Sequence, residues 1–122
     1  MADLQEIDKA IGAHGMWKTR LKMAIDTGKV DTPVETIRMD NQCVFGKWLY
    51  GTTLSSADKS SSDYKNIKTL HAEFHKTAAS VAELVLSGKK TEAEKLMSFS
   101  GAFTLASTNL TAAMMEWKKK PQ

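Results

Sequence analysis

The stretch HAEFH, residues 71–75, places two histidines four residues apart. On a helix, positions i and i+4 share a face with Cβ atoms roughly 6 Å apart. His71 and His75 can therefore aim their imidazoles at one point, which is what a transition metal requires of a single helix. The chain holds one further histidine, His14, and one cysteine, Cys43. Three imidazole nitrogens and a thiolate make a closed tetrahedron that suits Zn²⁺. Each residue also has a plainer reading. An HxxxH pair can be exposed and accidental. A histidine on a helix seam can be a core residue bonded to a carbonyl. Cys43, beside Val44 and Phe45, can be apolar packing. Jointly, the plain readings require every histidine to fall on an inward face by chance, at a desolvation cost.

The elements that must position these residues read as helices. Leu4, Ile7, Ile11, His14, Leu21 and Ile25 follow three–four spacing, so a first helix is expected from about Leu4 to Thr27, with Asp3 and Glu6 as a capping pair. A second is expected from Asp63 to Ser87, with Tyr64, Ile67, His71, Phe74, Ala78, Val81 and Val85 on its seam. A third starts at Thr91, capped by Thr91 with Glu94, and carries Leu96, Phe99, Phe103, Ala106, Leu110, Ala113 and Trp117 inward. Gly101 is a weak point where that helix can bend or split. Gly28 and Gly88 sit where C-caps belong. CVFGKWLYG reads as one short helix or turn carrying Cys43, and TTLSSADKSSSD as a mobile connecting loop. The expected fold is all-α: an antiparallel four-helix bundle of three long helices plus the short one that carries the cysteine.

Length and composition bound the rest. The 122 residues suit a single domain spanning 1–122, and one cysteine excludes an internal disulfide. The composition, 42% apolar and 25% charged, is that of an ordinary globular chain. The net charge of +3 owes much to Lys118, Lys119 and Lys120, which read as a solvated helix end. No aromatic residues interleave with them and no nucleic-acid motif accompanies them. No apolar stretch approaches a membrane span, and MADLQEIDKA lacks the features of a signal peptide, so a cytoplasmic location is expected. The methionines at 16, 23, 39, 97, 114 and 115 are expected mostly in packing roles.

HGMWKTRL (14–21), CVFGKWLYG (43–51) and LHAEFH (70–75) together resemble the chemoreceptor zinc-binding domain family. Its pattern is His followed by Trp-Lys/Arg and Leu, then Cys-x-Phe-Gly-x-Trp, then Leu-His-x-x-x-His. The blocks occur in order, and the resemblance runs from about residue 5 to 117. It implies zinc ligation by His14, Cys43, His71 and His75, and a helical bundle that often forms homodimers. It also implies a role in bacterial cytoplasmic signalling, attached to chemoreceptor regions or diguanylate cyclases, with a response to zinc or to oxidants such as hypochlorous acid. No output domain is visible in these residues, so the chain is expected to be either a free-standing sensor acting on a partner or a piece of a longer protein.

Within the family blocks, Trp17 and Trp48 are core aromatics that can also wall the metal from water. Gly46 allows a tight turn, and Lys18 and Lys47 are expected in solvent. Asp40 has two readings: a partner in the metal's outer sphere, or a cap on the short helix. Three competing functions stand beside the sensor. A hydrolytic enzyme with zinc on three histidines is disfavoured because Cys43 closes the site, so the expectation is that the protein is not an enzyme. A di-iron oxygen carrier needs more histidines and bridging carboxylates. A purely structural zinc within a helical interaction module remains open.

Overall fold

A computed structural model describes residues 4–52 and 54–119 of the chain, without the side chain of Leu4. Asp3, half of one expected cap, and Lys120 lie outside the described residues. Those residues form helices and no strand. The helices are α1 (Leu4–Thr27), α2 (Val34–Arg38), α3 (Val44–Tyr50), α4 (Ser56–Ser60), α5 (Ser62–Leu86), α6 (Lys90–Met97) and α7 (Ala102–Lys119). The all-α reading and a helical bundle both hold, but the count of three long helices plus one short does not.

The central element is α5, which packs on α1, α2, α4, α6 and α7. Its whole expected seam is buried, including Ile67, His71, Phe74 and Val81 at full burial. It starts at Ser61, whose hydroxyl accepts from the Tyr64 backbone N–H. It stops at Gly88, where φ is +75°. There the Lys89 N–H reaches the Leu84 carbonyl and the Gly88 N–H reaches that of Val85, which is a Schellman close. Gly28 ends α1 in the same left-handed region, with φ +74°. The Lys118 ammonium pairs with Asp8, so the end of α7 lies beside the start of α1.

The third long helix splits at its expected weak point into α6 and α7, where a Cβ on Gly101 would lie 2.3 Å from the carbonyl oxygens of Lys95 and Leu96. Other expectations are corrected. Phe99 sits in that break and is 96% exposed, whereas the unbroken pattern puts it inward. The start of α6 is capped by neither Thr91 nor Glu94; its N-cap is Lys89, with no side-chain hydrogen bond. The serine-rich segment is not all loop, because Ser55 and Asp58 form a reciprocal capping box that starts α4. Among the methionines, Met114 is fully buried, whereas Met16, Met23, Met39 and Met115 are exposed.

Candidate metal centre

The four donors reach the site from three local structures. His14 lies on the buried face of α1, and its Nδ1 donates to the Ala10 carbonyl one turn back at 2.8 Å. His71 and His75 are neighbours on the buried face of α5. The His75 Nδ1 donates to the Ile37 carbonyl at 2.9 Å. That carbonyl is delivered by α2, which Arg38 ties to Glu83 of α5 while also pairing with Glu35 within α2. Cys43 is the N-cap of α3, in extended conformation, with its sulfur accepting from the Gly46 N–H at 3.3 Å. A Cβ on Gly46 would lie 1.8 Å from the Asp40 carbonyl oxygen, so only glycine lets the turn before Cys43 close onto α3.

The four donor atoms lie within 4.8 Å of one another. The Cys43 Sγ is 3.4 Å from His71 Nε2 and 3.5 Å from His75 Nε2. His71 Nε2 is 3.1 Å from His14 Nε2 and 3.0 Å from His75 Nε2. A tetrahedral zinc with ordinary bond lengths separates two nitrogens by about 3.3 Å and a nitrogen from sulfur by about 3.6 Å. The donor set fits that ion in type and in spacing. With their Nδ1 protons on carbonyls, His14 and His75 both turn bare Nε2 lone pairs towards the other donors. Lone pairs converging at this range repel one another unless a cation lies among them.

The electrostatics agree. Burial pushes the His14 imidazole down to about 4, against the raising effect of its Ala10 bond. Burial also pushes His71 down to about 2, helped by the charges of His75 and His14. His75 is lowered by burial, partly offset by its bond to Ile37 and the nearby Asp40. The Cys43 thiol is raised, first by burial, while the Gly46 N–H opposes. At neutral pH the metal-free site is thus three neutral imidazoles and a thiol. Binding a divalent ion has to displace only the thiol proton.

The structure places Asp40, Trp17 and Trp48 as follows. The Asp40 carboxylate accepts from the Tyr50 hydroxyl at 2.5 Å. The outer acceptors for the imidazoles are the carbonyls of Ala10 and Ile37, and the cap of α3 is Cys43 itself. The charge of the Asp40 carboxylate raises both Cys43 and His75. Trp17 is half-buried under the Arg20 guanidinium, 3.8 Å from its ring centre. Trp48 is buried between Phe45 and Trp117, and among the described residues its indole N–H makes no hydrogen bond. The His71 Nδ1 is likewise buried without a partner among them.

Sequence reasoning missed the aromatic walls and the two carbonyls. Phe45 and Phe74 stand edge-on to His14, at 5.8 and 4.9 Å between ring centres. Phe74 carries a signal, its offset of three from His71 on the same helix, whereas Phe45, two residues after Cys43, has no such offset. The Ile37 carbonyl carries none, because a backbone oxygen has no residue identity.

Residues 14–82 match the family model described as chemoreceptor zinc-binding domain, a shorter span than the resemblance from about residue 5 to 117 but one that contains all three motif blocks and all four donors. No curated protein and no solved structure matches the chain.

Proposed function

The chain belongs to the chemoreceptor zinc-binding domain family, and from that premise we propose that it is a regulatory zinc sensor rather than an enzyme. The supporting observation is the donor set itself: three buried imidazoles on long helices and one half-exposed cysteine on a seven-residue helix. Zinc is held on one side by the rigid seams of α1 and α5. On the other side it is held by Cys43, which is also the cap of α3. Metal occupancy and the position of α3 are therefore coupled through a single sulfur atom.

Two inputs can act on that atom. Falling zinc availability empties the site and frees Cys43. Alternatively, an oxidant such as hypochlorous acid takes two electrons from the thiolate, giving cysteine sulfenic acid and chloride. The oxidised sulfur is a poor ligand, so α3 is released in both cases. The output is a changed surface where Phe45, Trp48 and Leu49 had been buried. It is read by a signalling partner or output domain of chemotaxis or cyclic-di-GMP type, in a cytoplasmic bacterial setting and within a homodimer.

Trp48 provides the test. Zinc removal, or one equivalent of hypochlorous acid, is expected to red-shift its emission and release the metal. Metal release with unchanged tryptophan emission contradicts the sensor. The structural-zinc reading draws on the burial of all three imidazoles in the core. It requires chelation to abolish the helical circular dichroism signal, which the sensor reading expects to survive.

A further inference from the structure

His14, Cys43 and His75 also line a cleft of about 490 Å³ between α1 and the α2–α3 segment. His71 does not line it and is fully buried. The cleft is thus an approach from solvent that touches three donors while the fourth stays behind them. Its volume lies in the range of small-molecule sites, roughly 300–1,000 Å³. Trp17, Ile37 and Phe45 give it apolar walls. Along its lining Lys9 pairs with Glu6, and Arg20 pairs with Asp31 at its edge, so these side chains cancel in charge. A divalent ion held by one thiolate and neutral imidazoles supplies one positive charge at its inner end.

We propose that this cleft is a second binding site, which takes a small anionic chelator of the free amino-acid or low-molecular-weight thiol class and passes the metal to it directly. The inference rests on the zinc reading above. Cys43 is the ligand displaced first, because His14 and His75 are each fixed through Nδ1 to a backbone carbonyl and the sulfur is half-exposed. The incoming donor's lone pair forms its bond to the metal as the Sγ–metal bond breaks. The freed thiolate takes a proton from the chelator's thiol or ammonium group, or from water, and no electrons are transferred. Metal delivery is the reverse of this exchange. A site opened only by unfolding behaves differently, since its exchange does not depend on which molecule waits outside.

The test uses the full chain loaded with zinc, with one metal per chain verified first. Stopped-flow transfer is followed to free cysteine, to the small chromogenic chelator 4-(2-pyridylazo)resorcinol, and to EDTA coupled to a polymer too bulky for the cleft. Transfer to the small chelators is expected to rise linearly with their concentration, and transfer to the polymer to be slow and independent of its concentration. Two cleft-lining side chains that are not ligands give changes of opposite sign. Ala13→Trp narrows the mouth and slows transfer by about tenfold or more, while Met39→Ala widens it and speeds transfer. Equilibrium zinc affinity and the cobalt(II) spectrum stay as in the unmodified chain. Rates independent of small-chelator concentration, or equal for the polymer, or unmoved by both substitutions, overturn the proposal. A chain that holds no zinc overturns the zinc reading itself, and this inference with it.

Discussion

A methyl group added at residue 46 would overlap the Asp40 carbonyl, whereas one added at residue 12 meets nothing within 4 Å. Gly46→Ala is therefore expected to force the Cys43 turn away from α3 and weaken zinc binding by an order of magnitude or more, the range seen when a metal site's outer support is lost. Gly12→Ala, in the exposed interior of α1, is expected to stabilise the fold by about 0.5–1 kcal/mol. Zinc titration and thermal melts of the two variants check both outcomes. The donors are legible in the sequence because ligand chemistry resides in side chains, and His14, Cys43, His71 and His75 are the chain's entire stock of histidine and cysteine. Asp40 is the nearest acid to the thiolate in sequence, which suggests an acceptor in the metal's outer sphere. The structure commits its carboxylate to Tyr50 instead and fills the acceptor role for His14 and His75 with backbone oxygens that no sequence displays.

Helices α1 and α5 follow their apolar seams closely, since a long uninterrupted three–four pattern leaves one way to bury its stripe. The break between α6 and α7 is visible in the sequence only as a weak point at Gly101, because the seam residues on either side keep helical spacing across it. Phe99 follows that pattern and yet projects into solvent. Phe99→Ser is accordingly expected to change stability by no more than about 0.5 kcal/mol, against several kcal/mol for a buried phenylalanine. The five-residue α2 has no periodicity to betray it, although it holds the acceptor for His75. Arg38 anchors it to Glu83 on α5. Arg38→Ala should loosen that carbonyl and lower zinc affinity about tenfold or more while leaving the helical signal intact. Competition with a calibrated chelator measures the loss, and an unchanged affinity removes α2 from the metal's support.

Across the chain, the metal site ties stability to pH. Folding lowers the proton affinity of His14, His71 and His75 and raises that of Cys43. Below the ordinary histidine value of 6.5 the unfolded chain binds more protons, so the metal-free bundle loses stability as pH falls from 6.5 towards about 4. At about 1.4 kcal/mol per pKa step, the share of His14 alone is roughly 3 kcal/mol. Above the ordinary cysteine value of 9.0 the folded chain holds the thiol proton more tightly, and stability falls again as pH rises. Urea melts of the metal-free chain should therefore show a plateau between those two values and a decline on either side. Loading with zinc adds binding free energy to the folded state and should raise the plateau in proportion to the logarithm of free zinc. No described helix is long and apolar enough to cross a membrane. Zinc K-edge X-ray absorption on the purified, zinc-loaded chain tests the shared ligand site on which these expectations depend. The expected first shell is one sulfur at about 2.3 Å and three imidazole nitrogens at about 2.0–2.1 Å. A shell without sulfur, or one dominated by water and carboxylate oxygen, contradicts it.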